Sequence, residues 1–255
     1  MKHVEVGPEG AHLGYVELEG RGDVPPLVYL HGLGSCSPIY FARSAAEPVL
    51  AGRRVLMIDF LGFGMSDRPL SFGYTLVDHA DAIARGLDRL GVAGADVIGH
   101  SMGGGVATLL ADRRPDLVGR LVLAEPSLHP SPRPFVEPYT EDAFVEHGFA
   151  LELSEVGTTW AATMRLADPV AMYRSEHALG ADMPVLDGVL RALAMPRAVV
   201  EGDRSGWLRD DPDLRAAGIP VYVVTDAGHT MMLDNPTGFA HAVAQALAGM
   251  EACVA

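Results

Sequence analysis

Asp96-Val97-Ile98-Gly99-His100-Ser101-Met102-Gly103-Gly104-Gly105-Val106 runs from a short apolar stretch, through a serine between glycines, into a helical pattern. Residues 99–103 fit G-x-S-x-G, a motif that carries chemistry only with a strand before it and a helix after it. Both are expected here. Asp96-Val97-Ile98 reads as a strand, and Met102, Val106, Leu109 and Leu110 share one helical face. So sharp a turn strains the serine backbone, and side chains two positions away on either side would collide. Glycine at 99 and 103 removes those collisions. The turn lifts the Ser101 hydroxyl clear of the sheet and aims the free N–H groups of the helix start at the same space.

On either side of this motif, short apolar runs alternate with helical stretches. His12–Leu18 alternates in polarity as a half-buried strand does, and Pro26–Leu30, Val55–Ile58, Leu121–Ala124, Val199-Val200 and Val221–Val224 are fully apolar or nearly so. Leu76, Ala80, Ile83, Leu87 and Leu90 form one helical face, and Phe239, Val243, Ala246 and Met250 form another. The pattern predicts an α/β fold with a mostly parallel central sheet and helices on both faces. It breaks after Ala124. Prolines 126, 130, 132, 134 and 138 lead into helix-like stretches with no clear strand. Residues 127–194 are therefore expected to be a helical cap inserted into a core made of 1–126 and 195–255.

A serine hydroxyl attacks a carbonyl well only when a base removes its proton. Ala227-Gly228-His229 places a histidine after the run Val221–Val224 and ahead of the last helix. Imidazole suits this role because it titrates near neutrality. His100 is nearer in sequence, but adjacent side chains on a sharp turn diverge, so His229 is the expected base. Leu30-His31-Gly32-Leu33-Gly34 follows an early strand. The backbone N–H groups of Leu33 and Met102 are the expected oxyanion hole. A competing reading takes Gly32-Leu33-Gly34-Ser35-Cys36-Ser37 as a nucleotide loop, with Asp59 ending the next strand. A serine in place of the third glycine, with Pro38 directly after it, weighs against that. Asp59, Ser66 and Asp67, around Gly62 and Gly64, are read as residues that pin a tight loop.

Composition excludes several classes. The 255 residues suffice for one large core or a core with a small inserted unit. With 49% hydrophobic and 20% charged residues, the chain has the make-up of a soluble globular protein. A formal net charge of −14 disfavours nucleic acid and anionic membranes. No apolar run is long enough to span a bilayer, and Met1-Lys2-His3-Val4-Glu5 lacks the order of a signal peptide. A cytoplasmic protein acting on a small molecule is expected. Cys36 and Cys253 form neither a disulfide framework nor a zinc motif, and no metal or other cofactor is expected.

His31-Gly32, Asp59-Phe60-Leu61-Gly62-Phe63-Gly64-Met65-Ser66-Asp67, Gly99-His100-Ser101-Met102-Gly103-Gly104 and Gly228-His229 together resemble the α/β-hydrolase superfamily in order and spacing. The resemblance implies a Ser-His-acid triad, and it covers the chain apart from the cap. It does not choose a substrate, because esterases, lactonases, carbon–carbon bond hydrolases and haloperoxidases share the motifs. A serine nucleophile argues against epoxide hydrolases and haloalkane dehalogenases. The usual acid position, three residues after Gly202, is occupied by Ser205. Some members place the acid at the end of the preceding strand, which is Glu125 here. Glu125 is therefore the expected acid, Asp203 the alternative, and Glu201, Asp210 and Asp211 follow. Trp160, Met164 and Met172 are candidates for lining the pocket from the cap. Hydrolysis of a small ester or lactone is the leading reading. A carbon–carbon bond hydrolase, with Arg165, Arg174 or Arg191 holding a substrate carboxylate, is the alternative, and a ligand receptor that does not turn over is a third.

Overall fold

The apolar runs become the strands of one sheet. In the computed structural model, which describes residues 1–22 and 24–252, the strands are β1 (Lys2–Glu5), β2 (His12–Leu18), β3 (Leu27–Leu30), β4 (Val55–Ile58), β5 (Ala95–His100), β6 (Val118–Ala124), β7 (Arg197–Gly202) and β8 (Val221–Val224). They lie in the order β1-β2-β4-β3-β5-β6-β7-β8. β2 pairs antiparallel with β1 and β4, and all pairings from β4 through β8 are parallel.

Neighbouring side chains of a strand face opposite ways, so a strand covered on both faces must be apolar throughout. Val28, Leu30, Val97, Leu121 and Leu123 join one packed cluster, while Tyr29, Ile98 and Val122 join the other. Helices α1 (Ser37–Ala45), α2 (Leu76–Arg89) and α3 (Met102–Arg113) follow β3, β4 and β5. α2 opens with a reciprocal cap, in which Thr75 Oγ1 accepts the Asp78 N–H and Asp78 accepts the Thr75 N–H, each at 3.1 Å. Its Leu76, Ala80, Ile83 and Leu87 are buried, as their spacing predicts. The sequence reading did not mark α1. Pro38, which spoiled a nucleotide loop, sits in the first turn of this helix, where proline is tolerated.

Between β6 and β7 the described residues hold helices and no strand. These are α4 (Glu141–Ala143), which runs through a π-turn into α5 (Phe149–Glu155), then α6 (Thr158–Met164), α7 (Pro169–His177) and α8 (Asp187–Ala192). α9 (Pro212–Ala216) precedes β8, and α10 (Met231–Asp234) and α11 (Pro236–Ala252) follow it. Phe239, Val243, Ala246 and Met250 of α11 pack with Tyr40 and Phe41 of α1 on the second face. Cys36 is buried and unpaired, and Cys253 lies outside the described residues. Among the described residues, no helix is long and apolar enough to cross a membrane.

The parallel strands β3, β5, β6, β7 and β8 are neighbours that all run the same way. Their C-terminal ends therefore share one edge, where open α/β sheets bind ligands. Leu33, Ser101, Glu125, Gly202 and His229 all lie at or just beyond those ends.

Candidate active site

Ser101 joins β5 to α3 with φ 53° and ψ −119°, a conformation that costs an L-residue on the order of 1–3 kcal/mol. The packing around it explains the glycines. A Cβ at Gly99 would lie 2.5 Å from the Gly103 carbonyl oxygen, and one at Gly103 would lie 2.4 Å from that of His31. The Ser101 N–H donates to the Ala124 carbonyl at 3.0 Å, and the Ser101 carbonyl accepts the Gly104 and Ser127 N–H groups at 2.9 Å each. One residue is tied to the next strand, to the helix and to the start of the insertion.

Glu125 ends the neighbouring strand, also at positive φ (40°). Its side chain is fully buried, and Oε2 accepts from His229 Nδ1 at 2.7 Å. Oε1 accepts the Gly202 N–H at 3.0 Å. Burial pushes the carboxyl up, but the His229 bond, the Gly202 N–H and the Ser205 side chain outweigh it and hold Glu125 below the usual carboxylate range. An ionised carboxylate can only accept, so Nδ1 is the protonated nitrogen of neutral His229 and Nε2 is left as an acceptor. Beside it, His100 donates from Nε2 to the His229 carbonyl at 2.8 Å, with the two rings 4.7 Å apart. Burial lowers His100 well below the ordinary imidazole range, so it serves as a neutral donor that fixes the histidine loop.

Among the described residues, the other carboxylates named for this role are engaged elsewhere. Asp203 accepts the Asp226 and Ala227 N–H groups at 3.0 and 3.1 Å, just ahead of His229. Glu201 accepts those of Trp207 and Leu208 at 2.5 and 2.6 Å. Asp211 caps α9, and exposed Asp210 lies 3.7 Å from Arg215.

The loop after β3 is held from two sides. Burial pushes His31 down to about 4, so its ring is neutral. Nδ1–H donates to the Gly32 carbonyl at 2.7 Å, and Nε2 accepts the Phe60 N–H at 3.1 Å. The Gly32 carbonyl belongs to the same trans peptide as the Leu33 N–H, which must point the opposite way, away from His31. From the insertion, Trp160 Nε1 donates to the Leu33 carbonyl at 2.8 Å and the Thr163 hydroxyl donates to that of Gly34 at 3.1 Å. Met102 supplies the first N–H of α3, which has no intrahelical partner by construction. Asp59 accepts the Ser37 and Met65 N–H groups at 2.7 and 3.0 Å, Ser66 bridges Gly14 to the Asp59 carbonyl, and Asp67 accepts the His12 N–H at 2.8 Å. These three side chains pin the loop after β4.

Two cavities meet at Ser101. The larger, about 580 Å³, is walled by the 126–133 segment, α8, Trp207 and α9. The smaller, about 210 Å³, is lined by Leu33, Tyr40, His100, Trp160 and Leu179. Ser101, His229 and Arg133 line both. Of the three cap residues named from the sequence, Trp160 reaches a cavity wall. Met164 and Met172 are completely buried in the packed core and line neither cavity. Arg133 and Trp207 were not anticipated. The signal for Arg133 was its place among Pro130, Pro132 and Pro134, which bar a helix and keep the chain at the sheet edge after Glu125. Among the described residues, no cluster of three or more His, Cys, Asp or Glu side chains is arranged to hold a metal ion.

A sequence model of the alpha/beta hydrolase fold matches residues 25–206. A 2-hydroxymuconate semialdehyde hydrolase of Pseudomonas putida is 39% identical over 123 residues, 47% of this chain and 43% of that protein. An sn-1-specific diacylglycerol lipase of Mus musculus is 36% identical over 113 residues, 44% of this chain and 36% of that protein. The matched stretches thus span less than half of either relative. Among solved structures, a thermophilic esterase from Thermogutta terrifontis superposes with a TM-score of 0.80 at 20% identity, covering 98% of this chain and 99% of that one. An enol-lactonase from Burkholderia xenovorans gives 0.78 at 21%, covering 97% of this chain and 100% of that one. With two thirds of its length matched by the family's own pattern and its sheet order, strained serine turn and strand-end loops in place, the chain belongs to the α/β-hydrolase family.

Proposed function

We propose that this protein is a serine hydrolase that cleaves a small carboxylic ester or lactone through an acyl-enzyme. The observation that carries the reading is the strained Ser101 turn beside a His229–Glu125 pair 2.7 Å apart, opening on a shared cavity. Ser101 Oγ attacks the substrate carbonyl carbon while its proton passes to His229 Nε2. The carbonyl oxygen becomes an oxyanion that accepts the Leu33 and Met102 N–H groups. The C–O bond then breaks, and His229 returns the proton to the leaving alkoxide. Water, deprotonated by His229, repeats the sequence on the acyl group and frees Ser101. Glu125 keeps the imidazole in the Nδ1–H tautomer and stabilises its charged form. Residues 127–194 act as a cap, with Trp160 on the pocket wall.

The test is Ser101→Ala on a panel of nitrophenyl esters and lactones, with a fluorophosphonate probe on the wild type. Turnover should fall by several orders of magnitude, and the probe should label Ser101. Unchanged turnover in the variant would overturn the proposal. A second reading, carbon–carbon bond hydrolysis of a diketone-like substrate, draws support from the similarity to the Pseudomonas putida semialdehyde hydrolase. It needs the same three residues. Faster Ser101-dependent turnover of a vinylogous diketone than of any ester in the panel would favour it.

A further inference from the structure

Four arginines lie in residues 127–194: Arg133, Arg165, Arg174 and Arg191. Three of them already have partners within the protein, including Arg191, which shares the larger cavity with Ser101. Arg174 pairs with Glu141 and with the carbonyls of Leu70 and Phe72, and Arg165 donates to Ala161 of its own helix. Arg191 pairs with Asp187 and Asp213 at 2.8 and 2.9 Å. Arg133 differs. It lines both cavities together with Ser101 and His229, and among the described residues no others are common to the two. Its Nη2 donates to Ser131 Oγ at 2.7 Å and its Nε is buried without a partner. Among the described residues, its guanidinium makes no ion pair with a carboxylate.

The backbone that carries the side chain is held in place. The Arg133 N–H donates to Glu137 Oε1 at 2.8 Å, its carbonyl accepts from Val136 and Glu137, and Ser131 is tied to the Leu179 carbonyl at 3.1 Å. The carboxylates that share the larger cavity have partners of their own. Glu125 holds His229, Asp187 and Asp213 hold Arg191, and Asp211 caps α9. An unpaired guanidinium beside a reacting serine is costly to keep unless something arrives to pair with it. It stands out further in a chain of net charge −14.

We infer that Arg133 is the specificity-determining residue of this site and that the substrate carries a carboxylate, held by the guanidinium while its ester or lactone carbonyl lies at Ser101. The inference rests on the hydrolase reading above. The planar fork of Arg matches a carboxylate with two parallel N–H donors, and burial strengthens the pairing. The competing account is purely structural. Buried Glu176, then Glu137 and buried Glu152, lie close enough to act electrostatically on Arg133, so the cation serves only to offset them. That account predicts no discrimination among substrates.

The test pairs mono-4-nitrophenyl adipate with neutral 4-nitrophenyl hexanoate, using wild type, Arg133→Gln and Arg133→Lys of matched thermal stability. The ratio of kcat/KM for the anionic ester to that for the neutral one should fall about 10- to 100-fold in Arg133→Gln, the loss of a charge-assisted pair. The fall should appear mainly in KM, and Arg133→Lys should recover part of it. An unchanged ratio, with both esters affected alike, would overturn the inference and leave the hydrolase reading standing. If neither ester is turned over in a Ser101-dependent way, the hydrolase reading fails. Calorimetric titration with adipate then decides the anion site alone. Binding to wild type that weakens about tenfold or more in Arg133→Gln supports it, and no binding, or equal binding, overturns it.

Discussion

Replacing Glu125 by Gln changes one atom in kind and almost nothing in size, and the structure says which way the new amide must turn. Oε1 of Glu125 accepts the Gly202 N–H at 3.0 Å, and that donor is fixed in the β7 backbone. An amide at position 125 has one acceptor, its oxygen, and this must stay on Gly202. The NH₂ group is then forced toward His229 Nδ1, now 2.7 Å from a donor instead of an acceptor. The imidazole responds by moving its proton to Nε2, the nitrogen proposed to receive the Ser101 proton. In a serine protease of unrelated fold the same inversion lowers kcat by about 10⁴, roughly 5.4 kcal/mol of barrier, and a loss of that order is expected here.

Asp203→Asn is the matched control. Asp203 accepts the Asp226 and Ala227 N–H groups, and an amide oxygen still accepts one of them. A loss of less than about tenfold is expected, because the change loosens the histidine loop without touching the tautomer. The assay is kcat/KM on the best ester of the panel, with thermal unfolding of each variant to confirm an equal folded fraction. Near-normal activity in Glu125→Gln together with a crippled Asp203→Asn would refute the reasoning and move the acid to β7.

Two further predictions test the scaffold. Gly103→Ala would put a Cβ 2.4 Å from the His31 carbonyl oxygen and 2.5 Å from that of Leu30, both fixed backbone, so urea unfolding should show a loss of about 2–3 kcal/mol; Gly188→Ala, with open space around it, is the control, and equal stability of the two variants would refute the packing argument. Burial pushes the neighbouring Glu152 and Glu176 above the ordinary carboxylate range, so above that range the folded state binds more protons than the unfolded state. Stability should therefore be fully present below about pH 4.3 as far as these two groups are concerned, and fall as pH rises through their folded values, by at most about 1.4 kcal/mol per pH unit for each proton. Glu152→Gln should flatten that fall, and an unaltered pH dependence of urea midpoints would refute it.

The parts legible in the sequence are those where one physical demand dominates. β3 and the central stretches of β5 and β6 were plain because the part of a strand buried on both faces has to be apolar. The Ser101 turn was plain because three backbone oxygens and a proline leave no room for Cβ atoms at 99, 103 and 104. The acid was harder for a geometric reason. β6 and β7 pair with Ala124 opposite Val200, so Glu125, just past β6, and Glu201, near the end of β7, lie side by side, and Asp203 follows close behind. Local sequence gives all three the same credentials. What separates them is where the partners lie. Glu201 is claimed by the N–H groups of residues 207–209 and Asp203 by those of 226–227, whereas Glu125 has one oxygen on Gly202 and the other free for His229. The insertion between β6 and β7 was harder still. Met164 and Met172 have the chemistry of a pocket lining but the burial of a core, and α1 is only nine residues long. Neither burial against a distant element nor a short helix leaves a periodic signal of its own.

Under the proposed mechanism, the two strained residues at the site give chemistry and specificity separate supports. Ser101 and Glu125 both sit at positive φ, and the bonds that hold them there are backbone bonds: Ser101 N–H to Ala124, Ser127 N–H to Ser101, and Glu125 N–H to Val200. None of these runs through a side chain of the cavity wall. The Leu33 loop is held on its inner side by His31, which faces the core. Trp160 and His100 are exceptions: both line the smaller cavity, and Trp160 also donates to the Leu33 carbonyl while His100 donates to that of His229. Changes at Arg133, Leu179 or Trp207 should therefore alter which acyl group is accepted while the turn, the histidine and the carboxylate keep their geometry. A change at Trp160 should disturb both at once, because the same indole shapes the pocket and fixes the peptide next to the N–H proposed to meet the oxyanion.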